Sequence, residues 1–145
     1  MRRGSPPPIS SWKPRRELRI PGGTSGEREE TVTEAKTAAA LRSGSVPVYA
    51  TPAMIALMES AAMQALEGRL PAGHTSVGMD ISVTHLRPTP VGAAVKARAS
   101  VTGVEGRLVT FRVEAFQGVM RIGEGLHRRA VVETARFLAR VDAAP

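Results

Sequence analysis

The stretch Tyr49–Gly68 reads YATPAMIALMESAAMQALEG, and we expect the rest of the chain to fold around it. It predicts a helix over Thr51–Glu67 with methionine, isoleucine, leucine and alanine on nearly every side. Thr51 suits the N-cap, Pro52 suits the first helical position, and Gly68 suits a left-handed exit from the helix. The stretch therefore predicts one long, buried helix at the centre of the fold.

Glu59 and His85 are the candidate functional residues that the pattern singles out. Glu59 is the only charge from Pro52 through Leu66, and burying an unpaired carboxylate costs on the order of several kcal/mol, so it needs a partner or a function. The segment Val77–His85 alternates, with apolar residues and His85 at the odd positions, so the imidazole is expected to face the core. Each residue alone also fits a structural role, the carboxylate beside an arginine or a helix end and the histidine on a backbone carbonyl.

The composition limits the class of protein. At 145 residues the chain is long enough for one domain with an ordinary core. It contains no cysteine, which excludes disulfides and thiolate chemistry, including a zinc–thiolate site. No run reaches the roughly 18 apolar residues that a membrane span needs, and no apolar segment follows the basic N-terminus, so we expect neither a membrane partner nor a secretory signal. A cytoplasmic protein is the default expectation.

The net charge of +7 is concentrated at the N-terminus. Residues 1–20 hold six lysines or arginines against one acid, whereas the rest of the chain carries fourteen bases and twelve acids. A basic stripe on the fold itself is therefore not indicated, and aromatic residues for base stacking are scarce, so we expect no nucleic-acid partner. Residues 1–26, rich in proline and glycine, predict a disordered arm, and residues 27–145 predict the folded domain.

The remaining pattern predicts strands. A first edge strand is indicated at residues 27–34, and a short helical segment at 35–41 precedes the long helix. Turns at Glu105-Gly106 and Gln117-Gly118 separate the later strands, which are expected at 93–102, 109–115 and 119–133, the last with Gly123 and Gly125 as signs of a bulge or a close backbone approach. This order predicts an α+β domain with one antiparallel sheet against one helix, and the apolar surface left over predicts a dimer.

The spacing of Thr51 and Glu59 constrains any shared site. They are eight residues apart, or ~12 Å along an α-helix, so their side chains cannot hydrogen-bond within a straight helix. If both act at one centre, we expect a two-fold dimer to bring Thr51 of one chain near Glu59 or His85 of the other, which a monomer in solution would refute. His74 and His127 lack the spacing of a metal site, and no GxSxG, P-loop or dinucleotide fingerprint occurs, so no metal or cofactor is expected.

Four stretches carry a resemblance to a known family: YATPAMIALMESAAMQAL, SVGMDISVTHLRPTPVG, VEGRLVTFRVEAFQG and GEGLHRRAVV. From about residue 27 to residue 141 the chain resembles the fluoroacetyl-CoA-thioesterase-like branch of the hotdog-fold thioesterases. The resemblance implies a hotdog fold, in which an antiparallel sheet wraps one long central helix, and homodimers whose sheets join edge to edge. It also implies hydrolysis of acyl-CoA thioesters without a metal or another cofactor, coenzyme A being part of the substrate.

The resemblance also implies roles for individual residues. The family's catalytic threonine, the glutamate of its LME motif and the histidine of its VTH motif match Thr51, Glu59 and His85. The glycine seven before the histidine, a backbone donor to the thioester oxygen, matches Gly78, and the HxRA arginine, associated with binding on the coenzyme A side, matches Arg129. His85 is then expected to act as general base on Thr51 or on water and later as acid toward the thiolate, with Glu59 orienting the imidazole or the attacking group.

One segment departs from the family pattern. The fluoroacetyl-specific enzymes carry phenylalanines before the threonine that form a lid over the acyl pocket, whereas residues 41–48 read LRSGSVPV. We therefore expect a more open pocket that accepts a small or medium acyl group other than fluoroacetyl. Two alternatives remain. A non-catalytic acyl-CoA-binding hotdog protein would bind without releasing thiol, and a hydratase would need an Asp–His pair that Asp80, expected to face away from His85, does not supply.

Overall fold

A five-stranded antiparallel sheet curls around one long helix in the computed structural model, which describes residues 4–5, 7–9 and 18–143. In chain order the elements are β1 (Ser25–Thr31), a 3-10 turn (Glu34–Lys36), α1 (Ala38–Leu41), α2 (Thr51–Leu66), β2 (His74–His85), β3 (Ala94–Glu105), β4 (Leu108–Gln117), β5 (Met120–Glu133) and α3 (Thr134–Ala143). The strand order is β1-β3-β4-β5-β2, so β1 and β2 are the two edges. The predicted α+β architecture, with β1 as an edge strand, is confirmed.

Helix α2 supplies the centre of the core because half of its sixteen side chains are apolar and buried, among them Met54, Met58 and Leu66. It packs on β1 and β3 and only lightly on β2. Gly26 lets β1 lie directly against the helix, since a Cβ at this position would stand 2.3 Å from the carbonyl oxygen of Ala61. The long apolar stretch thus folds as the predicted central helix, and the sheet packs on it mainly through β1 and β3.

One stripe of α2 stays open in the single chain, which corrects the prediction of a helix buried on nearly every side. Met63 is 52% exposed and Ala56 is exposed, while Ile55 and Glu59 are half-buried. This open stripe, defined by these four residues, leaves apolar surface without a neighbour among the described residues. It is the kind of surface from which the sequence predicts a dimer.

The start of α2 differs from the predicted one. Ala50, with an extended backbone (φ −75°, ψ 140°), occupies the N-cap and makes no side-chain cap, so the prediction of Thr51 as N-cap is wrong. Thr51 is the first helical residue, Pro52 is the second, and the Thr51 hydroxyl bonds to a distant side chain instead. At the other end Gly68 has φ +73°, which confirms the predicted left-handed exit.

A β-bulge in β2 changes which residues of that strand face α2. Gly78 and Asp80 pair with successive residues of β5, so Met79 between them is an extra residue. The alternation predicted for residues 77–85 therefore reverses before the bulge. Gly78, expected on the face opposite His85, faces the helix, and a Cβ there would lie 2.6 Å from the Glu59 carboxylate.

The glycines of β5 permit close packing against α2 and against the neighbouring strand β2, as predicted. A Cβ on Gly123 would lie 2.5 Å from the sulfur of Met54, and a Cβ on Gly125 would lie 2.1 Å from the carbonyl oxygen of Ser82. Ile122, next to the first glycine, is an extra residue relative to β4, because its two neighbours pair with successive residues of that strand. Both the bulge and the close approach therefore occur.

The folded domain begins before the predicted boundary at residue 27. Leu18 and Ile20 are each 8% exposed and belong to the core, and β1 starts at Ser25. These apolar residues lie among prolines and bases, which is why the composition hides them. Residues 1–3, 6 and 10–17 of the predicted arm lie outside the described residues. No helix in the described part of the chain is long and apolar enough to cross a membrane.

Candidate active site

Thr51 at the start of α2 and His85 at the end of β2 form a hydrogen-bonded pair. The Thr51 Oγ1 lies 2.8 Å from His85 Nδ1. The segment that leads into the helix is anchored by a backbone hydrogen bond of 2.8 Å from Tyr49 N to the carbonyl of Thr89, which follows β2. This anchor brings the first turn of the helix to the end of the strand, so two residues predicted on different elements meet within one chain.

The His85 imidazole is half-buried and suited to accept a proton. Burial lowers its pKa below the ordinary 6.5, and a contact with the backbone of Arg87 partly opposes this shift. Its Nε2 is buried and makes no hydrogen bond of ordinary geometry to the residues that the structure describes. A neutral imidazole with its proton on Nε2 presents Nδ1 to the Thr51 hydroxyl as an acceptor, which is the arrangement of a base beside a nucleophile.

An open pocket of about 310 Å³ lies beside this pair. Besides Thr51 and His85, its lining consists of small or apolar side chains and one arginine: Ala38, Ser43, Val48, Tyr49, Leu86, Arg87 and Pro88. Tyr49 is the one aromatic residue in this lining. Leu41 and Val46, in the segment that lacks the phenylalanines of the family lid, are about half exposed. The pocket is therefore uncovered on that side.

Tyr49 joins the pocket wall to β1. The side chain is 1% exposed, and its hydroxyl donates a hydrogen bond of 2.5 Å to Glu30 Oε2, while Lys36 forms an ion pair with the same carboxylate. Burial, followed by the hydrogen bond and charge of Glu30, raises the pKa of Tyr49, so the phenol stays protonated. The sequence indicated only an aromatic residue near Thr51, because its partner lies on another strand.

Glu59 lies in a second cluster, two turns further along α2. Its Oε2 accepts a hydrogen bond of 3.3 Å from Arg129 Nη1 and lies 4.0 Å from His127 Nε2. The side chain is 40% exposed, so one edge of the carboxylate is paired and the other is open. None of the described residues hydrogen-bonds to Oε1. The lone charge of the apolar helix thus has the partner that its burial requires.

Arg129 on β5 organises this cluster and is itself 4% exposed. Its Nε donates to the hydroxyl of Ser76 at 2.8 Å, its Nη2 donates to the carbonyl of Ser76 at 3.1 Å, and its Nη1 faces Glu59. Burial lowers the pKa of Arg129, and the charge of Glu59 opposes that shift. Its donors are directed at groups of its own chain, and its binding on the coenzyme A side stays a prediction.

His127 is the residue of this cluster that the sequence reasoning missed. It is 1% exposed, with Nδ1 2.7 Å from the carbonyl oxygen of Asp80 and Nε2 3.1 Å from Arg129 Nη1. Its ring also stacks on Phe111, with centroids 6.1 Å apart. The spacing of metal ligands gives no signal here. The useful signal is that residues two apart on a strand share a face, which puts His127 beside Arg129.

The two clusters are separate within one chain. Thr51 meets His85, whereas Glu59 and Gly78 lie together about 12 Å further along the helix. The sequence predicts that Thr51 approaches Glu59 or His85 of the other chain of a dimer. The structure places Thr51 against His85 of its own chain, so that contact needs no dimer, and the approach of Thr51 to Glu59 of another chain stays a prediction.

The structure gives no support to a metal site or to a hydratase pair in the part of the chain that it describes. No three His, Asp or Glu side chains converge there as a metal site would require. Asp80 faces away from His85, as predicted, and its carboxylate accepts hydrogen bonds of 3.1 and 2.9 Å from Arg128 Nε. These contacts lower the pKa of the Asp80 carboxyl.

Known proteins are similar to this chain in sequence and in structure. A family model described as fluoroacetyl-CoA-specific thioesterase matches residues 32–135. A fluoroacetyl-CoA thioesterase from Streptantibioticus cattleyicolor is 44% identical over 94 residues, which are 65% of this chain and 68% of that protein. The solved structure of the fluoroacetyl-CoA thioesterase FlK matches with a TM-score of 0.80 at 35% identity, over 86% of this chain and 96% of that one. A thioesterase superfamily member from Thermus thermophilus matches with a TM-score of 0.81 at 30% identity, over 86% and 93%.

The curled antiparallel sheet around α2 and these matches define a hotdog-fold thioesterase, which confirms the predicted fold. The chain belongs to the fluoroacetyl-CoA-specific thioesterase family, as the resemblance predicted, and it is a thioester hydrolase.

Proposed function

We propose that this chain hydrolyses small or medium acyl-CoA thioesters and that the reaction begins at the Thr51–His85 pair. The observation that carries the proposal is the 2.8 Å contact between Thr51 Oγ1 and His85 Nδ1 beside an open pocket. The neutral imidazole takes a proton from the hydroxyl or from a water molecule, and the oxygen attacks the thioester carbonyl. The imidazolium then returns the proton to the leaving thiolate. If the Thr51 oxygen attacks, water then hydrolyses the acyl ester on Thr51 and regenerates the hydroxyl; if water attacks, the acid forms directly. In both cases water supplies the second oxygen of the acid, so the reaction needs no cofactor.

The second cluster completes the site from the partner protomer of a homodimer. Glu59 is ~12 Å along the helix from Thr51 of its own chain, which is too far for direct cooperation. Its unbonded Oε1 lies on the open stripe of α2, where a second copy can approach. In this dimer Glu59 orients the attacking group or the imidazole, and the Gly78 N–H, with the start of α2, stabilises the oxyanion. Such stabilisation is often the largest single contribution to catalysis.

The edge strand β2 supplies a geometry for this dimer. Two copies of one strand pair antiparallel about a two-fold axis, and directly opposite residues share a face. We place the two-fold axis at Ser82 and again treat Met79 as an extra residue without a partner. His85 of one protomer then lies opposite Gly78 of its partner. The chain has no cysteine, so Ser82→Cys is expected to form a disulfide-linked dimer under mild oxidation, and a chain that stays monomeric would refute this geometry.

The pocket supports a short acyl group. Its volume of about 310 Å³ is near the lower end of the roughly 300–1,000 Å³ of ligand pockets. No aromatic side chain between residues 41 and 48 covers it, so we expect acyl groups other than fluoroacetyl to be accepted. The relative from Streptantibioticus cattleyicolor is named for fluoroacetyl-CoA. For this chain we propose that a broader range of acyl groups is accepted and that the enzyme acts in the cytoplasm.

Thiol release from a panel of acyl-CoA thioesters tests the reaction. Wild type is compared with His85→Ala and Glu59→Ala, with circular dichroism as the check on folding. Hydrolysis that is lost in both variants supports the site, and activity that is unchanged in both refutes it. Tight coenzyme A binding without turnover of any thioester would favour the non-catalytic alternative.

Complementation between inactive protomers tests whether the site is shared. A Thr51→Ala/His85→Ala chain and a Glu59→Ala chain are each expected to be inactive alone. After mixing and refolding, half of the dimers are mixed and each contains one complete site, so about a quarter of wild-type activity returns. No recovery, with mixed dimers demonstrated by mass spectrometry, would mean that each site is built from one chain.

A further inference from the structure

The buried histidine of β5 has no role in the proposed reaction. His127 is 1% exposed. It is linked to Glu59 through Arg129, whose Nη1 lies within hydrogen-bond distance of both side chains. A buried imidazole is costly unless both of its nitrogens are satisfied. Both are satisfied here, which suggests that the ring serves the groups that it contacts.

The contacts of His127 determine its tautomer. Nδ1 lies 2.7 Å from the carbonyl oxygen of Asp80, which can only accept, so Nδ1 carries the proton. Nε2 lies 3.1 Å from Nη1 of Arg129, which can only donate, so Nε2 is unprotonated. The ring is therefore neutral, and it links the backbone of β2 to the guanidinium of Arg129.

Arg129 passes this constraint to Glu59. Its Nη1 faces both the histidine Nε2 at 3.1 Å and Glu59 Oε2 at 3.3 Å, while its other nitrogens are bound to Ser76. With all three nitrogens engaged, the guanidinium has one orientation. That orientation holds Oε2 of Glu59 and leaves Oε1 without a hydrogen bond from the described residues.

We propose that His127 is a positioning residue, whose neutral ring holds Arg129 so that Glu59 presents Oε1 to the reacting groups. This inference rests on the proposed role of Glu59. It does not need His127 to touch the substrate. The expected consequence of losing the ring nitrogens is a lower kcat with little change in KM, because the carboxylate is misdirected while the substrate contacts remain.

Burial keeps the ring of His127 neutral, although some of the groups that face it favour the protonated form. Glu59 faces it from α2, the backbone of Asp80 faces it from β2, Arg129 lies beside it on β5, and the uncharged Phe111 faces it from β4. Protonation would set an Nε2–H against the Nη1–H groups of Arg129. Burial, assisted by the charge of Arg129, lowers the pKa of His127 and outweighs the opposing effects of the Asp80 backbone and of the Glu59 and Asp80 charges, so the neutral ring persists below pH 6.5.

Two substitutions separate the nitrogens from the ring volume. His127→Phe keeps the bulk and the stacking on Phe111 but loses both hydrogen bonds. It is expected to lower kcat by up to about a hundredfold, the cost of a misplacement of about 1 Å. His127→Gln keeps one donor and one acceptor and is expected to recover most of kcat. Wild-type kcat in His127→Phe, or a His127→Gln enzyme as impaired as His127→Phe, would overturn the proposal.

A matched control separates positioning from general destabilisation. Val113→Ala removes buried volume from β4 at a position with no exposure and no polar contact. It is expected to lower the free energy of unfolding while leaving kcat at saturating substrate unchanged. If Val113→Ala lowers kcat as much as His127→Phe does, the effect of His127 is a structural one and the proposal is overturned.

A double-mutant cycle with Glu59→Gln tests the route of the effect. If His127 acts only through the Glu59 carboxylate, His127→Phe lowers kcat in the wild-type background but not in the Glu59→Gln background. Equal losses in both backgrounds would overturn the proposal and leave the role of Glu59 intact. Wild-type activity in Glu59→Gln would instead refute the role of Glu59 in the proposed function, so the two failures are distinguishable.

Nuclear magnetic resonance provides a readout that does not depend on activity. With three histidines in the chain, the ¹⁵N resonances of each ring can be assigned by substitution. His127 is expected to show a protonated Nδ1 and an unprotonated Nε2 at pH 7. A protonated Nε2, or a doubly protonated ring at that pH, would overturn the proposal.

Discussion

Gly78→Ala is expected to separate activity from stability. The added Cβ would stand 2.6 Å from Oε2 of Glu59, about 0.8 Å inside ordinary contact at 3.4 Å. The obstructing atom is the end of a flexible side chain, so the carboxylate can retreat while the backbone stays. The 3.3 Å hydrogen bond to Arg129 Nη1 is then lost or redirected. A misplacement near 1 Å costs about a hundredfold in rate, so we expect kcat to fall by roughly tenfold to a hundredfold.

The stability of this variant is expected to change little. Gly78 does not have a positive φ, so alanine fits its backbone, and the lower entropy of the unfolded chain contributes about 0.4–1 kcal/mol in favour of folding. Gly125→Ala is the matched control, because its Cβ would meet the Ser82 backbone oxygen at 2.1 Å and the backbone cannot yield cheaply. It is expected to lose about 1–3 kcal/mol or more. Thiol release and urea denaturation measure both variants, and wild-type kcat in Gly78→Ala would refute the placement of Glu59.

Three further predictions concern single groups. Thr51→Val removes the hydroxyl that bonds to His85 and is expected to lower kcat about a hundredfold or more, while the free energy of unfolding falls by only about 0.5–1.5 kcal/mol, the contribution of one hydrogen bond; wild-type kcat in this variant would contradict the role of the hydroxyl. Tyr49→Phe removes a hydrogen bond to the Glu30 carboxylate and is expected to lower the free energy of unfolding by about 1.5–3 kcal/mol, so unchanged stability would contradict its role as a tether. Because burial lowers the pKa of His85, the base loses its activity only as pH falls below 6.5, and a kcat/KM profile with its acid limb above 6.5 would contradict this. The unfolded chain binds protons to this histidine more readily, so the free energy of unfolding also falls as pH drops below 6.5.

The strands β3 and β4 were predictable because their core face is uniformly apolar. Val95, Ala97 and Ala99 on one strand, and Val109 and Phe111 on the next, alternate with polar residues and are fully buried. Alternation of this kind encodes both the strand and the face that it buries. The predicted strands stopped before the turn that joins β3 and β4, because residues near a turn carry no hydrophobic signal.

The face of β5 that meets α2 was not predictable in this way. Its residues include Gly123, Gly125, His127 and Arg129, which are small or polar although most of them are buried. On this face a glycine packs against a methionine, and an arginine pairs with a carboxylate. A search for alternating hydrophobic residues cannot detect a core face of this kind. The pairing of Arg129 with Glu59, seventy residues apart in sequence, therefore required the register of the sheet.

At the bulge of Met79 the regular alternation of strand side chains breaks down, and the proposed site depends on this irregularity. Regular alternation would turn Gly78 away from α2, and the extra residue turns it toward Glu59 and onto the face of His85. Bulges are over-represented next to active sites, where the extra residue re-aims a side chain or backbone group. In the proposed reaction, Thr51 with His85 forms an acid–base half and Glu59 with Gly78 forms an electrostatic half, and each pair is held by its own contacts. In the proposed dimer a single two-fold axis joins each half to its complement, so two identical chains make two complete sites.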